Sequence, residues 1–127
     1  MNVVDSSAWI EYYTDGPNAR YFSAPILDRE ALLVPAICLY EVFKWVLVHG
    51  TKQDALTTSA DMQQGLVVAV DASIATSAAR LSVELQLPMA DSLVLATARA
   101  FEATIWTQDG DFRDLPGVRF RPRKPGS

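Results

Sequence analysis

Short apolar runs rich in β-branched residues recur along this chain, and the first three are each followed by longer stretches with helical character. The runs are NVV (2–4), LLV (32–34), LVVAV (66–70), ATIWT (103–107) and VRF (118–120). Strands that alternate with helices imply βαβ units, and hence a parallel sheet with helices on both faces. The expected architecture is therefore α/β, three layers deep, around a central, mostly parallel five-stranded sheet. LVVAV, apolar at every position, reads as a strand covered on both faces. Pro35 suits the first turn of the helix AICLYEVFKWVLV (36–48), and Gly50 ends it. AWIEYY and TKQDALTTSADMQQ are further helical segments, the second closed by Gly65. Pro25 predicts a break or kink in the helical stretch NARYFSAPILDRE. Ile74, Ala78, Leu81 and Leu85 recur at helical spacing, which predicts one buried helix face. Pro88 separates that helix from ADSLVLATARAF.

At 127 residues the chain is read as a single domain, 1–127, with 118–127 a basic C-terminal strand and tail. Half of its residues are apolar, a surplus that a partner chain could cover. No apolar run approaches the ~18 residues of a bilayer span, and Asp5 interrupts the N-terminal run where a signal peptide would continue. One cysteine, Cys38, excludes an intrachain disulfide, and a cytoplasmic location is expected. A net charge of −4 gives no global attraction to nucleic acid. Yet the last ten residues, VRFRPRKPGS, carry Arg119, Arg121, Arg123 and Lys124 with no acid. They read either as a solvated tail or as an arm that touches a phosphate backbone or an acidic partner.

Four carboxylates stand out by position. Ligands in an open parallel sheet gather beyond the carboxyl ends of its strands. Asp5 directly follows NVV, and Asp109 comes two residues after ATIWT. Asp91 lies near the start of a helix, and Glu41 lies in a helix apolar on nearly every face. Each has an ordinary reading too. Asp5 or Asp91 is a natural N-cap, Asp109-Gly110 a turn dipeptide, and Glu41 could pair with Lys44. Together the acids point to a different solution. Two carboxylates ~4 Å apart repel by ~4 kcal/mol at an effective dielectric near 20, so a cluster calls for protons or a cation. Oxygen ligands suit Mg2+ or Mn2+. With one histidine and one cysteine, a zinc site of the usual kind is not supplied. His49, near a helix C-terminus, reads as a surface residue and not as a general base. There is no Gly-rich phosphate loop and no nucleophile elbow.

The segments VVDSSAWIEY, PAICLYEVFKW, LPMADSLVLATA and IWTQDGDF, in this order and spacing, resemble the PIN-domain nucleases, and among them the VapC-type toxins of bacterial toxin–antitoxin pairs. The resemblance runs the length of the chain. It implies a metal-dependent ribonuclease in which Asp5, Glu41, Asp91 and Asp109 hold Mg2+ or Mn2+. It also implies that Thr107 orients water at the metal, with Ser6 a weaker supporting candidate. Asp111 is an auxiliary carboxylate or, by preference, a solvated turn residue. The implied reaction is RNA phosphodiester hydrolysis on tRNA, rRNA or mRNA. The implied partners are a cognate antitoxin laid across a groove beside the acids and a second copy of the chain in a homodimer. Trp9, Tyr12, Tyr13, Phe43 and Trp45 are candidate partner contacts, with core packing the expected role of at least half of them. Arg20, Arg29, Lys44, Lys52 and the terminal arm are candidate RNA contacts.

Three alternatives stay open. An RNA-processing nuclease without antitoxin keeps the chemistry, and a non-catalytic PIN module keeps only the fold. A phosphotransfer enzyme built on the first aspartate fits poorly, because Asp5-Ser6-Ser7 lacks a second acid and no lysine ends ATIWT.

Overall fold

The five apolar runs become the five strands of one sheet. A computed structural model describes residues 1–125; Gly126 and Ser127, the end of the basic tail, lie outside the described residues. The strands are β1 (Asn2–Val4), β2 (Leu32–Pro35), β3 (Leu66–Val68), β4 (Thr104–Thr107) and β5 (Val118–Phe120). Their spatial order is β3-β2-β1-β4-β5, and every neighbouring pair is parallel. Six helices connect them: α1 (Ser6–Tyr13), α2 (Ala19–Leu27), α3 (Ala36–His49), α4 (Lys52–Met62), α5 (Ala72–Leu85) and α6 (Met89–Ala100).

Successive strand residues point to opposite faces, so burial of consecutive residues reports cover on both. Val3 and Val4 in β1, and Leu33 and Val34 in β2, are all fully buried. The central sheet is therefore sandwiched, as the α/β reading requires. Local chemistry starts the helices where the sequence suggests. The Asp5 side chain caps α1, Thr51 and Asp54 form a capping box on α4, and Asp71 caps α5. Pro35 and Pro88 stand at the entries of α3 and α6. Gly65 is required for close approach: a Cβ there would lie 3.0 Å from the Leu32 carbonyl oxygen and 3.0 Å from a Val34 methyl.

The structure corrects four expectations. LVVAV is not a doubly covered strand; only Leu66–Val68 pair, and they form a sheet edge on which Leu66 is 56 % exposed. Its one strand neighbour is β2, and of the three paired residues only Val68 is partly buried. Pro25 does not break α2, since it falls in the last turn and the helix ends only two residues later. Leu85 leaves the buried stripe of α5 at its final residue. Trp9, a candidate partner contact, is fully buried and stacks on Tyr13 inside the core. No helix among the described residues is long and apolar enough to cross a membrane.

The contrast between centre and edge is measurable. Leu33→Ala should lower stability by about 2–5 kcal/mol, and Leu66→Ala by less than about 1 kcal/mol. Urea unfolding of the two variants checks this, and equal losses would contradict the strand order.

Candidate active site

From β1 the chain steps outward to β2 and β3, then returns through α5 and α6 to β4 on the other side of β1. The carboxyl ends of β1 and β4 therefore mark the point where strand order reverses, the usual site of a ligand crevice. Asp5 stands there: its backbone N–H, just past β1, donates to the Trp106 carbonyl at 3.1 Å. Thr107 ends β4 opposite it, fully buried.

The Asp5 carboxylate is only 3 % exposed and is held on both oxygens. Oδ1 accepts from Ser7 Oγ at 2.8 Å and from the Ala8 N–H at 3.0 Å; Oδ2 accepts from Thr107 Oγ1 at 2.6 Å. Asp5 thus caps α1, as its N-cap reading requires, and stands at the strand end where the sequence places a candidate ligand. Burial pushes its pKa up to about 6, against the lowering effect of those three donors, and the charge of Asp109 raises it further. Thr107 Oγ1 also accepts the Asp109 backbone N–H at 2.9 Å, so one hydroxyl ties both acids to the end of β4.

Asp109 then caps the short turn Gly110–Phe112 by accepting the Asp111 N–H on Oδ1 at 2.9 Å. Carboxylate oxygens of Asp91, Asp109 and Asp111 all lie within 4.8 Å of one another. Asp91 does not cap α6; Pro88 occupies that place, and Asp91 projects from the first turn. Partial burial, a hydrogen bond to Asp111 and the charges of Asp109, Asp111 and Asp5 push its pKa up to about 8. Asp111 is an exposed turn residue, as preferred from the sequence, and its carboxylate lies within reach of those of Asp91 and Asp109. Its signal in the sequence was the Asp-Gly-Asp spacing, which brings two carboxylates to one turn.

Glu41 does not pair with Lys44. Ser6 Oγ donates to Glu41 Oε1 at 2.7 Å, while Lys44 is exposed and sits 5.8 Å from the Tyr40 ring. Cys38, one turn before Glu41, is fully buried; burial holds its thiol well above the usual range, and the charges of Asp5, Glu41 and Asp91 add to this. Sequence reasoning missed Ser7, which holds Asp5, and the buried pair Asn18–Gln108 behind it. Asn18 Nδ2 donates to Gln108 Oε1 at 3.1 Å and to the Pro122 carbonyl at 3.0 Å. Arg29, a candidate RNA contact, is taken up elsewhere, paired with Asp61 at 3.1 Å and bonded to Gln64. His49 is exposed and stacks on Trp45, away from these acids.

Among the described residues the only salt bridges are Arg29–Asp61 and Arg80–Glu84, so none of the clustered acids has a cationic partner. An all-oxygen donor set with unneutralised charge fits a hard divalent cation such as Mg2+ or Mn2+.

A family model described as PIN domain matches residues 3–118. No curated protein matches the sequence. Among solved structures, a toxin–antitoxin complex from Klebsiella pneumoniae aligns with a TM-score of 0.81 at 19 % identity, covering 98 % of this chain and 100 % of that one. The sarcin–ricin-loop-cleaving toxin VapC20 of Mycobacterium tuberculosis aligns at 0.78 and 18 % identity, covering 96 % and 100 %. FitAcB from Neisseria gonorrhoeae aligns at 0.74 and 22 % identity, covering 96 % and 98 %.

The raised acids make metal-free stability depend on pH. Asp91 titrates near 3.8 when unfolded and about 8 when folded, and Asp5 near 3.8 and about 6. Their neutral forms favour the fold, so this contribution is complete below about pH 4 and is lost as pH rises toward 8. Thermal melts in chelator across that window should show the wild type losing stability relative to Asp91→Asn. Parallel profiles would contradict the assigned burial and crowding.

Proposed function

The chain belongs to the PIN-domain family, and from that membership and the acids converging at the β1/β4 end we propose that it is a divalent-metal-dependent ribonuclease and the toxin of a toxin–antitoxin pair. The observation that carries the proposal is the convergence of Asp91, Asp109 and Asp111 oxygens within 4.8 Å, without a cationic partner among the described residues. Asp5, Asp91 and Asp109 would hold the ion, Mg2+ or Mn2+, with Glu41 and Asp111 beside them. When bound, the ion supplies Lewis-acid polarisation of the phosphate and a water acidic enough to attack it.

The chain's own residues do the positioning. Thr107 and Ser7 fix both oxygens of Asp5, which removes the rotamer freedom a ligand carboxylate would otherwise lose. Ser6 holds Glu41 by one oxygen and leaves the other to act on water or a ligand. A bound cation would favour the ionised form of Asp91, against the burial and the neighbouring acids that raise its pKa.

We propose the groove along α3 and α4 for the antitoxin. It measures about 390 Å³, is lined by Leu39, Tyr40, Phe43, Lys44, Leu47 and Ser59, and adjoins a second groove that includes Glu41. Tyr40 and Val48, 60 % and 72 % exposed, mark the face such a segment would cover before reaching the acids. The apolar groove between α5 and α6, beside Val70 and Met89, is proposed for a second copy. The location proposed is cytoplasmic. The similarity of the fold to structures named as toxins and toxin–antitoxin complexes supports this reading over a nuclease without antitoxin.

Purified, partner-free protein should cut total cellular RNA into discrete fragments with Mg2+ or Mn2+ and not with EDTA. Asp5→Asn and Glu41→Gln should each lower the rate at least about 100-fold, the scale of losing a positioned catalytic group, with unchanged circular dichroism. Normal cleavage by either variant would remove that residue from the site.

A further inference from the structure

The basic C-terminal segment is built into the fold rather than hanging from it. Arg119 pairs with Trp106 in the β4–β5 register, and its guanidinium carbon lies 5.0 Å from the Trp106 ring centre. Trp106 in turn packs against Tyr21 of α2 at 5.2 Å. Arg121, two residues on and so on the same face as Arg119, lies 3.9 Å from the Tyr21 ring centre. The four side chains form a ladder, Arg119–Trp106–Tyr21–Arg121, two rings with an arginine at each end. Its backbone is anchored, because the Arg121 N–H donates to the Thr107 carbonyl at 2.9 Å and Asn18 holds the Pro122 carbonyl at 3.0 Å. Thr107 is the residue whose hydroxyl holds Asp5, so the backbone of the basic segment leaves the sheet beside the strand end that carries the acids, with the ladder on the Trp106 face of that end.

Neither arginine has a carboxylate partner among the described residues. A guanidinium whose flat side rests on a ring keeps its in-plane N–H groups for a phosphate, and the ring limits its rotamers before binding. RNA faces a difficulty that such a ladder answers. The protein carries net charge −4 and its site is lined with acids, so the backbone needs local positive charge to stay beside them.

We propose that Arg119 and Arg121, stacked on Trp106 and Tyr21, form a phosphate track that holds the RNA backbone next to the acid cluster. The inference rests on the ribonuclease reading and extends it to how substrate is held. In an Asp5→Asn background, binding of a labelled single-stranded RNA should be measured against salt concentration. Removing each arginine as Arg119→Gln or Arg121→Gln should reduce the slope of log affinity on log salt by ~0.7, and the double variant by ~1.4. In otherwise wild-type protein the same substitutions should raise KM several-fold with kcat nearly unchanged, while the lost stacking lowers the melting temperature by only a few degrees and leaves the protein folded at the assay temperature. An unchanged slope and KM would overturn the track and leave the nuclease reading intact; an arm that serves an acidic protein segment instead would give that result. Failure of wild-type protein to cleave any RNA would overturn the parent reading, and RNA binding that lost its slope in the double variant would still support the track.

Discussion

The Thr107 hydroxyl is the hinge of the whole arrangement. It donates to Asp5 at 2.6 Å and accepts the Asp109 N–H at 2.9 Å, joining the ends of β1 and β4 where strand order reverses. Without that hydroxyl, the Asp5 carboxylate would keep its cap on α1 but lose its own tie to β4, leaving only the backbone bond to Trp106. The turn carrying Asp109 and Asp111 would lose its register against the sheet. The Thr107 carbonyl meanwhile takes the Arg121 N–H, so the same residue sets where the basic segment leaves β5.

The site is electrostatically uncomfortable by construction. Asp91 sits among Asp109, Asp111 and Asp5, half withdrawn from water, and its pKa rises accordingly. A fold that needed only stability would replace one of these acids by an amide. Groups with perturbed pKa values in a crevice at a switch point are where chemistry is commonly found. A divalent cation would relieve this perturbation, and among the described residues no lysine or arginine pairs with the cluster.

Much of this was legible in the sequence, and the limits are physical. Alternating short runs and helices announced the parallel sheet, and the place of Asp5 and Asp109 after their strands announced the rim. Burial was harder to read. Leu66 and Val67 look like core but lie on an edge, because an apolar run does not say how many neighbours a strand has. Glu41 suggested a pair with Lys44 from spacing along one helix, yet its partner is Ser6, 35 residues away, and long-range hydrogen bonds leave no periodicity. Asp111 looked like an ordinary turn residue because its neighbour Asp91 is 20 residues away in sequence and only the topology brings the two carboxylates together. The tail's composition showed positive charge, but only the β4–β5 register showed that aromatic rings hold it.

The central claim is that the crowded acids exchange a proton for a cation. Calorimetric titration with Mn2+ at pH 7, repeated in two buffers of different ionisation enthalpy, measures both binding and proton release. With Asp91 titrating at about 8, saturation should release close to one proton per protein at pH 7 and much less at pH 9. Absence of binding, or binding that releases no proton at either pH, would contradict the account.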